Sequence, residues 1–570
     1  MSFYAIPSPV ASLRGDDVGL ATEATRMVAV PLSALAWPVR AGSDGDGRSA
    51  LVVAGASAIR TGVAVAWCKI VAVTPAVVRR DGRVQAKGRP CDHARLGAAE
   101  QELDRRCGPE TIERIAAGVH PTGKIKARMR REMSVAFTIR AVLLMTVTPE
   151  ADYREVLSIL LGELVEVPWQ RARRVPSASV FARWRAAIGP QPLRDLQRLV
   201  LAEAVAEHRA DGLPQVEVGG GLRLGAIDGS VTRMADTRAN REAFGSTGTC
   251  DDSAAFPQVR HLHLSDALTR ATLAVVTGPA GGDKAEAEQA LLDRALVEYP
   301  DPFGPDRLWV MDRNFPGVPR IAAMLATHTH VLIRVKSDIR LPRIGGFAGD
   351  GSYLATLSGG GVTLTVRVIE YHVTLEGQTT PELFCLVTDL LDHIEHPGHL
   401  LAAAYRWRWD GSETALREAK STLDGAGPAT GAILRSHTPD LVRQEHAAWI
   451  TATELVHALT RSAADLASPF RKGPRAGQAV QARHLSFTTA RRTLITTVQV
   501  GTATASLAAP ARAAAHQAAL DVIATAKVTT DRQRHRDHKT KTRQAFGHAP
   551  RGLTTRTAPA VVHVCGTTAA

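Results

Sequence analysis

At 570 residues and 45% hydrophobic composition, the chain is too long for one compact core and reads as several domains. Its formal net charge of +13 recurs in several clusters and points to a polyanion, since Lys and Arg displace counterions from phosphate backbones. Six scattered cysteines form no CxxC pair, and Cys91 with His93 has no second ligand pair, so neither a zinc ribbon nor a disulfide framework is expected. The apolar stretch from Ala50 to Val78 is broken by Arg60 and Lys69, and no signal-peptide pattern opens the chain. No membrane partner is expected, and free thiols suit a reducing cytoplasm.

Residues 1–95 carry scattered Gly, Pro, Ser and Asp and read as a poorly defined extension. From 96 to 215 the apolar spacing turns helical, as in PETIERIAAG, ADYREVLSILLGEL and PSASVFARWRAAIG. Ser177 or Ser179 caps the last of these, whose surface is expected to carry Arg183 and Arg185 after the basic run Arg171, Arg173 and Arg174. Short helices with a basic one late in the set suit a helix-turn-helix-type DNA reader; a helical packing domain is the alternative. Over 216–338 the period changes to two: LRLGAIDGSVTRM, QVRHLHLSDA and TRATLAVVTG predict three strands. A helix over 284–299, the strand DRLWVMDRNF, a helix over 318–328 and a strand over 329–338 come next. That order makes an α/β fold with the strand sequence of a ribonuclease-H-like core. Gly-rich turns between β-branched runs predict an all-β insertion at 339–392. Helices resume over 393–465, and 466–570 holds one helix (ARAAAHQAALDVIATA) and a basic tail at 531–544.

Asp228, in LGAIDGS, and Asp312, in LWVMDRNF, are expected at the ends of the first and fourth strands. Neighbouring strands would bring both carboxylates into one cleft. Glu413 is expected to open a helix behind an N-cap Ser412, with Lys420 on the same face. Two strand-borne aspartates and a helix-borne glutamate suit hard divalent cations, and a two-metal site stabilises attacking and leaving oxygens at phosphorus. His328 and His330 read as surface or satisfied histidines rather than ligands.

Tyr405, Arg408, Glu413 and Lys420 resemble the Tyr-x2-Arg-x3-Glu-x6-Lys hallmark of bacterial DDE transposases of the insertion-sequence-four family, with four residues rather than three between Arg408 and Glu413. IDGSVTRMADTRANREAFG, FPQVR, MDRNF and LRSHTPDLVRQE fit as well, and the resemblance spans about residues 100 to 465. It implies a cytoplasmic enzyme, nucleoid-associated when acting, with Asp228, Asp312 and Glu413 catalytic and holding two Mg2+ or Mn2+ ions. It implies nicking at transposon ends, hairpin formation and opening, and transfer of the 3′ hydroxyl into target DNA, by a homodimer on terminal inverted repeats. Tyr405 and Arg408 are implied to hold the terminal phosphate, with Lys420, Trp409 and Arg313 as further DNA contacts. Trp409 would stack on a displaced base, a role for which Trp407 competes. An inactive DNA-binding relic and a nuclease without strand transfer are the alternatives.

Overall fold

The computed structural model describes residues 109–121, 134–149, 151–162, 175–209, 218, 220–246, 256–281, 287–336, 338–375, 382–422, 433–472, 475–494, 509–528 and 560–564. The extension at 1–95, the run at 171–174 and the basic tail at 531–544 lie outside them.

Five helices come first: α1 (Pro109–Ala117), α2 (Val135–Val147), α3 (Tyr153–Gly162), α4 (Ala178–Ile188) and α5 (Gln191–Arg209). Ser134 and Ser177 cap α2 and α4 through their side chains. α2 is apolar on all sides and buried almost throughout, so it shows no amphipathic stripe in the sequence. A mixed α/β portion comes next, with a large central sheet: β1 (Arg223–Met234), α6 (Arg238–Phe244), β2 (Gln258–Asp266), β3 (Thr272–Pro279), α7 (Glu288–Glu298), β4 (Arg307–Met311), α8 (Val318–Ala326) and β5 (His330–Arg334). After these stand β6 (Arg343–Phe347), β7 (Tyr353–Gly359), β8 (Val362–Leu375) and β9 (Glu382–Thr388), then α9 (Gly398–Tyr405), a π-turn (Trp409–Glu413) and α10 (Thr414–Thr422). The two-residue β10 (Ile433–Leu434), α11 (Pro439–Leu466), α12 (Ala509–Thr525) and β11 (Ala560–Val564) complete the set.

The strand order is β3-β2-β1-β4-β5-β9-β8-β7-β6. β1 runs antiparallel to β2 and parallel to β4, and β4 runs parallel to β5. The β-rich segment is not a separate layer. β9 pairs with β5, so β6–β9 prolong the same sheet. Alternation sorts the strands' side chains: Ile227, Trp309, Met311, Val331 and Ile333 pack with α7 and α8, while Leu224, Ala226, Leu308, Val310 and Leu332 pack with α9.

The 28-residue α11 joins the helical set to the sheet. Its apolar residues share one core with α1–α5 and α12. Its buried Glu454 accepts from the Thr272 N–H and from Arg461, which also holds Glu207 of α5 at 2.9 Å. Arg185 corrects an expectation. It is fully buried, not a surface residue of a basic helix, and donates to Gln444 Oε1 at 2.7 Å, Ser436 Oγ at 3.1 Å and the Leu441 carbonyl at 3.3 Å. Its position on α4 faces α11, and a planar five-donor guanidinium satisfies several acceptors there at once. Arg183 is exposed.

Candidate active site

β1 runs six residues past Asp228 and stays paired with β2 as far as Arg233, so Asp228 sits in mid-strand and not at a strand end. Against β4, however, pairing stops at Ile227–Met311, which places Asp228 and Asp312 side by side where the parallel ladder opens. Both share the parity of Ala226 and Val310, and so face the layer of α9, the π-turn and α10. Asp312 accepts from the Asn314 backbone N–H at 2.8 Å and from Asn314 Nδ2 at 3.3 Å, which fixes its rotamer.

The additional residue between Arg408 and Glu413 is taken up in the helix itself. Arg408 has helical dihedrals, φ −52 and ψ −42, and the Thr414 N–H donates to the Trp409 carbonyl, five residues back. A π-turn closes each bond one residue later than an α-helix, so it absorbs one residue without rotating the helix beyond it. Ser412 is therefore no N-cap. It lies inside the π-turn, its hydroxyl 3.1 Å from Asp228 Oδ2 and 2.9 Å from the Arg408 carbonyl. Gly411 lets the turn approach Ala267 closely. A Cβ there would lie 2.4 Å from Ala267 Cα, just past β2.

Arg408 stands among the acids, 3.2 Å from Glu413 Oε1 and 3.8 Å from Asp228 Oδ2. Burial works against its charge, but Tyr405, Asp228, Glu413 and Asp312 outweigh burial and raise its pKa. Burial lifts the Asp228 carboxyl above its ordinary range; Arg408 and Ser412 oppose that shift, and Asp312 adds to it. Glu413 is raised too, by burial first and then by Asp228, against Arg408. Lys420 donates to Ser230 Oγ, two residues beyond Asp228 on the same face; burial lowers its pKa and Asp228 counteracts this.

The other expected contacts divide. Tyr405 is buried beside Arg408, and burial pushes its hydroxyl up to about 12. Arg313 is exposed beside Asp312, and Trp409 is 52% exposed with the Arg408 guanidinium 4.8 Å from its ring centroid. Trp407 is half-buried under Arg483. His330 bonds to Asp389 at 2.7 Å. Glu418 of α10 pairs with Arg270 at 2.7 Å and His457 at 3.4 Å.

Two features carry no signal in the linear sequence. His263 is the cross-strand partner of Asp228; burial holds its pKa and that of His446 near 3, and the His261 ring packs against His263, His446 and Trp449, with His446 also on Trp449. Glu288, the first residue of α7, comes against Gly229 from the opposite layer. Among the described residues, no three His, Cys, Asp or Glu side chains are arranged to hold a metal ion as they stand, and no helix is long and apolar enough to cross a membrane.

Residues 219–425, which include Asp228, Asp312, Arg408, Glu413 and Lys420, match a family described as the transposase DDE domain. The chain is 26% identical over 350 residues to the transposase InsG for insertion sequence element IS4 of Escherichia coli (strain K12), covering 59% of this chain and 71% of that one. A cryo-EM structure of the piggyBac transposase synaptic complex with hairpin DNA aligns at a TM-score of 0.39 and 12% identity, over 75% of this chain and 85% of that one.

Proposed function

We propose, for a chain that belongs to the DDE transposases of the insertion-sequence-four family, that Asp228, Asp312 and Glu413 cut DNA at the ends of its element and direct the freed 3′ hydroxyl into target DNA. The observation that carries this reading is the π-turn, which keeps Glu413 in reach of the Asp228–Arg408 pair despite the longer spacing. The order β3-β2-β1-β4-β5, with β1 antiparallel to β2 and parallel to β4, supports a ribonuclease-H-like core beneath it.

The family's chemistry implies divalent metal, and the donors present fit it. Three carboxylates supply hard oxygen ligands, and their charge already draws in Arg408, whose buried Nε finds no acceptor among the described residues. Two Mg2+ or Mn2+ ions held by Asp228, Asp312 and Glu413 would stabilise charge on the attacking and leaving oxygens. Asn314 and Ser412 orient the aspartates. Arg408, backed by Tyr405, is placed to pass from the carboxylates to the scissile phosphate, where its fork suits two oxygens. Lys420 supplies a second cation on the same side. Trp409 and Arg313, both exposed, are placed to meet DNA at the rim, with Trp409 offering a face to a displaced base. An element has two ends, so the working form is a homodimer on its terminal inverted repeats.

The test uses DNA carrying the inverted repeats that flank the gene, with magnesium. Asp228→Ala should abolish cleavage and leave gel-shift binding intact. Cleavage that survives the change refutes the assignment, and nicking without joining favours a nuclease.

A further inference from the structure

We infer that Glu288 is a fourth carboxylate of the metal-holding set, reaching the two aspartates from the opposite layer of the sheet; this rests on the active-site reading above. Three observations converge on it. The first is the approach through Gly229. Gly229 has the parity of the α7 face, and a Cβ added to it would lie 2.3 Å from Glu288 Cδ and 2.4 Å from Oε1. The carboxyl group, not merely the stem, thus rests on the backbone of the residue after Asp228. Only a glycine leaves that space, and the ladder between β1 and β4 has already ended there.

The second is what Glu288 forgoes. A Glu in the first helical turn normally complements the free N–H groups of the helix start. Here the N-cap is Ala287 without a side-chain cap, and among the described residues no hydrogen bond or ion pair reaches the Glu288 carboxylate. The third is what it faces. Asp228 and Asp312 both repel it, and the field of Arg260 opposes them. Arg408 sits on the far side, bonded to Glu413 and near Asp228. A half-buried carboxylate set against two others without a partner costs free energy unless a cation joins them. Arg408 offsets the charge on the Glu413 side. On the Glu288 side, a divalent ion between Glu288 and the two aspartates would do so.

The experiment titrates the full chain, without DNA, with Mn2+ and records the free-ion electron paramagnetic resonance signal. Circular dichroism and thermal melting confirm folding of each variant. Glu288→Gln keeps the side chain's shape and should weaken the tightest Mn2+ binding at least about tenfold. Gly229→Ala displaces the flexible Glu288 side chain without removing it and should weaken binding in the same direction. Unchanged Mn2+ affinity in Glu288→Gln, with affinity lost in Asp228→Ala, overturns the role of Glu288 and leaves the active-site reading standing. Unchanged affinity in both variants overturns both.

Discussion

Replacing Gly411 by alanine bears directly on the π-turn that holds Glu413 in register. The added Cβ would lie 2.4 Å from Ala267 Cα, 3.0 Å from its Cβ and 3.1 Å from its carbonyl oxygen. Ala267 cannot yield easily, because its N–H donates to the Leu224 carbonyl on β1 at 2.9 Å. Carbon atoms pack at about 3.5–4.0 Å, so the turn would have to retreat by roughly 1 Å. Glu413 lies two residues on and Arg408 three residues before, so both move with it. A displacement of that size at a reacting centre costs about a hundredfold in rate, and overpacking costs about 1–3 kcal/mol of stability. Gly411→Ala should therefore fold, lose about 1–3 kcal/mol in urea unfolding and nick end-bearing DNA about a hundredfold more slowly with magnesium. Gly346→Ala is the control, because a Cβ there meets nothing within 4 Å. Nicking by Gly411→Ala that stays within about threefold of the parent, with stability unchanged, would refute the packing argument.

Arg185→Met leaves Gln444, Ser436 and the Leu441 carbonyl without their buried donor, and should cost about 2–4 kcal/mol in urea unfolding. A cost near zero would mean that these acceptors find other partners. Ser412→Ala removes the hydroxyl beside Asp228 and should slow nicking about tenfold with DNA binding intact. The His330–Asp389 pair carries a pH signature. The hydrogen bond to Asp389 raises the His330 pKa above 6.5, so its stabilisation is complete below that value and is lost as pH rises through the elevated one. Asp389→Asn should therefore lower the melting temperature more at about pH 5.5 than at about pH 9, and an equal loss at both would exclude the linkage.

Much of the fold was legible because period and punctuation are local. The period-two runs around Asp228 and Asp312, the helices at Glu288–Glu298 and Val318–Ala326 and the Ser177 cap all arise from residues a few positions apart. Where burial overrides local pattern, reading along the chain fails. α2 is apolar all round and shows no stripe, and Arg185 looks like a surface cation until α11 closes over it. The motif LRSHTPDLVRQE proves partly architectural: the buried Glu445 accepts from the Arg435 and Ser436 N–H groups and from the Ser436 hydroxyl.

The candidate site divides along the same line. The chain's own order and its motif residues determine which acids are chemically eligible, since strand parity and helical spacing are covalent consequences of where each residue stands. The additional residue between Arg408 and Glu413 is visible in the chain, but whether it rotates Glu413 away is a question of hydrogen-bond closure. Only the folded structure shows that the helix answers with a π-turn, whose Gly411 packs closely on Ala267. Glu288 stands furthest from what linear reading could find. Its position in the first turn of a helix looks like dipole compensation, and only the sheet brings it, across the gap left by Gly229, to face Asp228 and Asp312. Charges that meet through space obey distance and burial, and neither is written in the spacing of residues along the chain.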